Sequence, residues 1–268
     1  MLLEEVIKNR KSVRSYSGQV LKKEHVDSIN QYIATLEQPF GGNARIELIS
    51  TNSDNKVVKL GTYGVISDAK DFLTLVYEPG PLAEQNAGYL FEQVVLFCTS
   101  LGLGTCWLGG TLKKSDFAKQ IQIKKNEIFS IVSPVGYPGE KMRFLEKLMR
   151  AGAKSNNRKP FETLFFDNKF EIPLKPENAH KYYEPLEMMR LAPSASNSQP
   201  WRVIKSNNRF HFYDHIKSRF SAIDIGIGLC HFREMCKKMN IIGDFEILEN
   251  NYFPQIENNQ YVISWIGD

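Results

Sequence analysis

No stretch of this 268-residue sequence approaches the ~18 consecutive apolar residues that a membrane-spanning helix needs. A membrane span is therefore not expected. Basic runs are missing as well. The net charge is only +4, with Lys and Arg dispersed along the chain, which argues against a nucleic-acid interface. Cysteine is scarce. Cys98, Cys106, Cys230 and Cys236 form no Cys-x-x-Cys pair and lie within or beside apolar runs. That excludes a disulfide framework and reads as small buried hydrophobes. The histidines are scattered, and a strand pattern separates His211 from His215, so no metal site is expected. A dinucleotide fingerprint is lacking too. Gly102-x-Gly104-x-x-x-x-Gly109-Gly110 has the wrong spacing and follows a helical segment. The opening Met1-Leu2-Leu3-Glu4-Glu5-Val6 carries acids where a signal peptide needs bases, so a cytoplasmic location is expected.

What is present is an ordinary globular composition, 42% hydrophobic and 24% charged, long enough for one large domain or two small ones. Hydrophobic periodicity predicts a short helix over 3–9 and an extended segment over 13–18. It then predicts a helix opening at Lys22 with Val26, Ile29, Ile33 and Leu36 on one face. Strands are expected at 46–49, 72–77 and 128–132. A helix over 86–100 is apolar nearly all round and should be buried. Gly102 and Gly104 are expected to cap it, and Pro134 to Gly139 to terminate the first half.

The remainder of the chain repeats that order. Leu174-Lys175-Pro176-Glu177-Asn178 opens a helix as Leu21 to His25 does. Strands over 201–204, 210–213, 244–248 and 261–265, with a buried helix over 226–239, answer elements of the first half. This predicts two halves, 1–165 (with a connector over 141–166) and 166–268. Their buried helices would pack together as an internal pseudo-dimer.

Two stretches carry chemistry. The loop Ala192-Pro193-Ser194-Ala195-Ser196-Asn197-Ser198-Gln199-Pro200-Trp201 lies between a helix and a strand. Pro193 closes the helix, because the residue before a proline avoids αR, and Pro200 fixes an extended exit. The serines, Asn197 and Gln199 between them form a dense set of donors and acceptors suited to a flat polar ligand; the alternative is a polar surface turn. On the extended segment near the N-terminus, alternation puts Arg10, Ser12 and Arg14 on one face. Two guanidiniums and a hydroxyl suit a phosphate or an anionic ring edge; the alternative is a solvated basic patch.

The run Pro193-Ser194-x-x-Asn197-x-Gln199-Pro200-Trp201 resembles the flavin-contacting loop of the FMN-dependent nitroreductase family, and Arg10-Lys11-Ser12-Val13-Arg14 resembles that family's Arg-x-Ser-x-Arg/Lys entry segment. In ordinary members the arginines precede the Pro-Ser loop by a few tens of residues. Here most of the chain separates them, which resembles the subgroup with two nitroreductase-like halves fused. The resemblance implies an α+β nitroreductase-like fold in which FMN takes hydride from NAD(P)H and a small-molecule acceptor takes the electrons. A non-catalytic flavin-binding or sensory protein is the alternative. By resemblance, Arg10, Lys11 and Ser12 bind the phosphate and ribityl chain, and Arg14 lies at the N1/O2 edge of the ring. Gly109 and Gly110 offer backbone near N5, Arg158 is a late phosphate ligand, and Pro193, Ser194, Ala195, Asn197 and Gln199 line the flavin. No catalytic side chain is implied. Each half keeps the motif the other lacks, so one FMN per chain is expected, with no need for a homodimer.

Overall fold

A computed structural model of the chain describes residues 2–51, 61–111, 113–140, 146, 157–215, 218–249, 253 and 259–268. The chain forms two compact units. One comprises Asn9–Ala153; the other comprises Leu2–Lys8 together with Lys154–Asp268. The expected division after residue 165 instead falls inside a strand of the second unit, and most of the expected connector lies outside the described residues.

The first unit begins with α2 (Lys23–Ala34), after α1 (Leu3–Asn9), whose residues up to Lys8 belong to the second unit. Strands β1 (Ala44–Ser50) and β2 (Asp71–Tyr77) follow, then α3 (Ala83–Ser100) and the two-residue strand β3 (Gly104–Thr105). Helix α4 (Lys114–Ala118) leads to β4 (Ile128–Gly136). The sheet order is β1-β2-β4-β3, antiparallel throughout. β2 is buried along its whole length, as a central strand of β-branched and aromatic residues should be.

Helix α3 is buried on most sides, as its all-round apolar sequence requires. It ends in a Schellman motif. Gly102 sits at φ +77°, its N–H bonds the Thr99 carbonyl, and the Leu103 N–H reaches back to Cys98.

Two expectations are corrected here. Gly104 does not cap α3. It lies in β3, where an added Cβ would come within 2.8 Å of the Val13 side chain. Pro134, Val135 and Gly136 do not end the half; they continue β4, with Pro134 opposite Phe72. A proline is tolerated there because β4's other neighbour is irregular at that point. Regular pairing to β3 covers only Val135 and Gly136, and the Ser133 hydroxyl, not a backbone carbonyl, accepts the Cys106 N–H.

The second unit contains β5 (Phe165–Asp167), a 3-10 segment Pro176–Tyr182 broken at His180, and α5 (Tyr183–Leu191). Then come β6 (Trp201–Ser206), β7 (Arg209–Asp214), α6 (Ser221–Lys238), β8 (Gly243–Glu246) and β9 (Gln260–Gly267). The sheet order is β5-β6-β7-β9-β8, with β5 parallel to β6 and the rest antiparallel. Its core is aromatic. Phe232 of α6 packs against Tyr182, Phe210, Phe212, Phe245 and Trp265. Helix α1 is tied in by the Glu4–Lys238 ion pair and by buried Val6 and Ile7.

Apart from the added edge strand β5, the two sheets share a plan. In each, the first two strands pair, an 18-residue helix follows, and the last strand inserts between the second and third. Each carries a bulge where the second strand pairs with the last, between Leu75 and Val76 in one and between Phe212 and Tyr213 in the other. Among the described residues no helix is long and apolar enough to cross a membrane, and no cluster of three metal-ligating side chains occurs. The four cysteines are buried and free, as their apolar surroundings in the sequence predict.

Candidate functional site

The first set of predicted residues lies in the first unit, on the chain leaving α1. Ser12 bridges Thr105 of β3 in parallel, and the Val13 N–H donates to the Thr105 carbonyl at 2.8 Å. Gly104 makes this approach possible, since only hydrogen fits between β3 and Val13. Further along, the Ser67 N–H donates to the Arg14 carbonyl and the Tyr16 N–H to the Ser67 carbonyl. The buried carboxylate of Glu146 accepts the Ser15 hydroxyl at 2.9 Å and the Arg14 N–H at 3.3 Å. The segment is thus fixed on both sides by backbone bonds.

That stitching sets Ser12 beside Thr105, next to the buried Cys106. Burial pushes that thiol up, while Arg14, a hydrogen bond from Ser12 and Arg10 pull it back and Glu146 adds to the rise. Arg14 Nε is buried and has no hydrogen-bond partner among the described residues. A buried guanidinium N–H without an acceptor is costly, and an anionic group is the acceptor its chemistry suits. Lys11 is exposed beside them.

Gly109 and Gly110 form a bend after Leu108, which bridges Val132 of β4. Among the described residues, a Cβ at Gly110 would meet no atom within 4 Å. Packing among the described residues does not require glycine at that position.

The second set lies in the second unit. Helix α5 stops at Leu191, and Ala192 turns extended ahead of Pro193 (ψ 145°). The loop then makes a 3-10 turn, Ala195–Asn197, in which Ser196, Asn197 and, just beyond, Gln199 hold φ of 52°, 55° and 48°. Left-handed backbone at Ser and Gln costs about 1–2 kcal/mol each, so other contacts must hold the turn. Gln199 is buried. Its Oε1 accepts the Lys159 N–H at 2.8 Å, its Nε2 reaches the Asn197 carbonyl and Oδ1, and its own N–H donates to Ser194 Oγ. Lys159 Nζ donates to the Ser198 carbonyl. Arg158 donates to the Leu191 carbonyl and to Asn197 Oδ1.

The structure thus brings Arg158, Asn197 and Gln199 together as a brace for the loop. Beneath the turn, Asp224 of α6 accepts the Ala195 N–H with both oxygens at 3.0 Å and the Ser198 hydroxyl at 3.4 Å.

Sequence reasoning passed over Asp224 and Glu146. The first sits between isoleucines in an apolar helix, and the second lies in what reads as a connector. The usable signal for Asp224 was its isolation, because a lone carboxylate inside an apolar helix needs a polar partner.

Comparison with known proteins bears on the family and the fold. A family model described as "Putative TM nitroreductase" matches residues 2–236. Among solved structures, a Thermotoga maritima MSB8 protein described as a putative nitroreductase is 20% identical, with a TM-score of 0.60 over 99% of this chain and 94% of its own. That likeness shows a mixed α+β nitroreductase-like fold. A nitroreductase family protein of Clostridium novyi NT is 18% identical, with a TM-score of 0.43 over 53% of this chain and 90% of its own. A nitroreductase with bound FMN from Bacteroides fragilis NCTC 9343 is 18% identical, with a TM-score of 0.40 over 54% and 92%. No curated protein matches the sequence. With the family model running over most of its length, this chain belongs to the nitroreductase family.

Proposed function

We propose that this chain is an FMN-dependent oxidoreductase that uses NAD(P)H to reduce an electrophilic small molecule. The observation that carries the reading is the buried Arg14 N–H that lacks an acceptor among the described residues, on an entry segment paired to β3 through Ser12 and Val13. Family membership supports redox chemistry on a flavin.

Bound FMN would supply the chemistry, accepting hydride at N5 and passing electrons on. The protein's part is to hold and tune it. Arg10, Lys11 and Ser12 anchor a phosphate and its ribityl chain through charge-assisted hydrogen bonds. Arg14 sets a positive charge at the edge of the ring where negative charge gathers on reduction. The Gly109-Gly110 backbone and the Pro193, Ser194, Ala195, Asn197 and Gln199 loop offer close main-chain approach. Arg158 acts through Asn197, holding the loop in shape. The fused reading, two nitroreductase-like halves in one chain, is supported by the shared strand order and the bulge at the same place in both sheets.

The test is spectroscopic. Protein incubated with FMN and desalted is expected to retain a flavin spectrum that NADH or NADPH bleaches and a quinone or nitroaromatic restores. A retained spectrum that neither nucleotide bleaches would assign a non-catalytic flavin protein instead. Absence of any retained flavin would refute the cofactor assignment.

A further inference from the structure

We propose that Asp224 is a positioning residue for the flavin loop: from beneath, its carboxylate grips the Ala195 N–H with both oxygens and keeps the left-handed turn at 196–199 in the shape that receives the ring. The proposal rests on the flavin reading above and adds a control point to the same site. Three observations carry it.

The turn is strained. Ser196 and Gln199 sit in left-handed backbone that neither residue favours, so an external contact has to hold them. The contact is present and directional. Ala195 donates to Asp224 Oδ1 and Oδ2 at 3.0 Å each, and Ser198 Oγ donates to Oδ2 at 3.4 Å. Ala195 immediately precedes the strained stretch, and Ser198 lies within it, just before Gln199. The carboxylate also comes from a rigid platform. Asp224 is buried within the first turns of α6, a long helix packed on α5, β6 and β7.

The same geometry makes the grip sensitive to protonation. A carboxylate presents two charged acceptors to the loop, whereas a carboxylic acid presents a neutral carbonyl and a hydroxyl. Burial pushes the Asp224 carboxyl up to about 7; the hydrogen bonds from Ala195 and Ser198 oppose the rise, and Asp214 adds to it. Asp214, on β7, is the charged group that faces it among the described residues; it accepts the Ser221 hydroxyl. The gripping form is therefore populated above neutrality and lost below it.

The experiment measures the protection factor of the Ala195 amide by hydrogen exchange in flavin-free protein, and FMN affinity by fluorescence quenching, both at pH 6 and pH 8. Wild type and Asp224→Asn are compared, with Ser198→Ala as a milder variant. In wild type, protection at Ala195 is expected to rise about five-fold from pH 6 to pH 8, the scale of charge assistance in one hydrogen bond. In Asp224→Asn it should be low and independent of pH. FMN affinity should track protection, with the wild-type advantage over the Asn variant larger at pH 8. The comparison with the variant cancels titration of the FMN phosphate itself.

Equal protection at Ala195 in wild type at both pH values, or an unchanged pH profile in Asp224→Asn, would overturn the proposal. If Asp224→Asn does not fold, the wild-type profile and Ser198→Ala decide it. Failure of FMN to bind wild type at either pH would sink the flavin reading, while the amide exchange would still decide whether Asp224 grips the loop.

Discussion

Arg158 donates from Nη1 to Asn197 Oδ1 at 3.0 Å and from Nη2 to the Leu191 carbonyl at 3.1 Å. One guanidinium thus ties the end of α5 to the strained turn that follows it, and satisfies a carbonyl that the helix terminus leaves over. Arg158→Ala should destabilise the flavin-free protein by about 1–2 kcal/mol, the scale of lost hydrogen bonds to a charged donor. Arg158→Lys should recover little of that, because a point charge cannot bridge two acceptors in a fixed fork. Urea unfolding without flavin reads the effect directly. An unchanged midpoint in Arg158→Ala would mean that Arg158 is a linker cation with no bracing role.

Gly104 and Val13 form a second tight pair, and the entry segment depends on it. Gly104→Ala places a methyl within 2.8 Å of the Val13 Cβ and should cost about 1–3 kcal/mol as an overpacking change. Shortening the neighbour in the double variant Gly104→Ala/Val13→Ala should cost less than the sum of the two single changes. Strict additivity in thermal unfolding would show that the two residues do not meet.

His211 makes stability depend on pH. It is buried in β7 with Nδ1 2.8 Å from Ser264 Oγ, and burial, with Arg209 adding, lowers its pKa from 6.5 to about 4. The unfolded chain therefore binds the proton first. Stability is complete above about pH 6.5 and falls as the pH drops toward 4, by an amount of about 2–3 kcal/mol. His211→Gln keeps a hydrogen-bonding group without the titration. Its urea midpoint should shift less than that of wild type between pH 7 and pH 4.5. Parallel shifts in the two proteins would assign the acid loss to other groups.

The elements were largely legible, and the exceptions have local causes. β2 and β7 announce themselves through β-branched and aromatic runs, and α3 through apolar residues on every face. Pro134 reads as a terminator because a proline removes a ladder donor, but the chain beside it at Cys106 is irregular and asks for no regular pairing there. β5 escapes notice because Phe165–Asp167 is too short to show a period and depends on parallel pairing with β6, a contact no local pattern encodes. Arg10, Ser12 and Arg14 were readable as one face from simple alternation. The influence of their charges on Cys106 was not, because a buried thiol looks the same in sequence whatever surrounds it. The bracing of the Pro-Ser loop was hidden for a similar reason. Its polar residues advertise hydrogen bonding, but only the fold tells that Gln199 is turned inward to Lys159 and Asn197.

Arg10→Ala tests the anchoring role by itself. Loss of one charge-assisted contact to a phosphate should weaken FMN binding by about 1.5–3 kcal/mol. Riboflavin, which has no phosphate, should lose much less affinity in the same variant. Equal losses for the two ligands would place Arg10 away from the phosphate.

The most direct measurement is stoichiometry. The Arg-x-Ser-x-Arg segment occurs once, near the N-terminus, and the Pro-Ser loop occurs once, near residue 195. On the fused reading proposed above, the corresponding stretches are Thr163 to Phe170, which holds no arginine, and Gln38-Pro39-Phe40-Gly41-Gly42-Asn43, which is no polar double-proline loop, so a second desolvated phosphate would lack its pair of guanidiniums. Protein saturated with FMN, desalted and heat-denatured should release one flavin per chain by absorbance, whether it runs as a monomer or larger. A ratio near two, retention of flavin only in a homodimer, or no flavin at all would contradict the account.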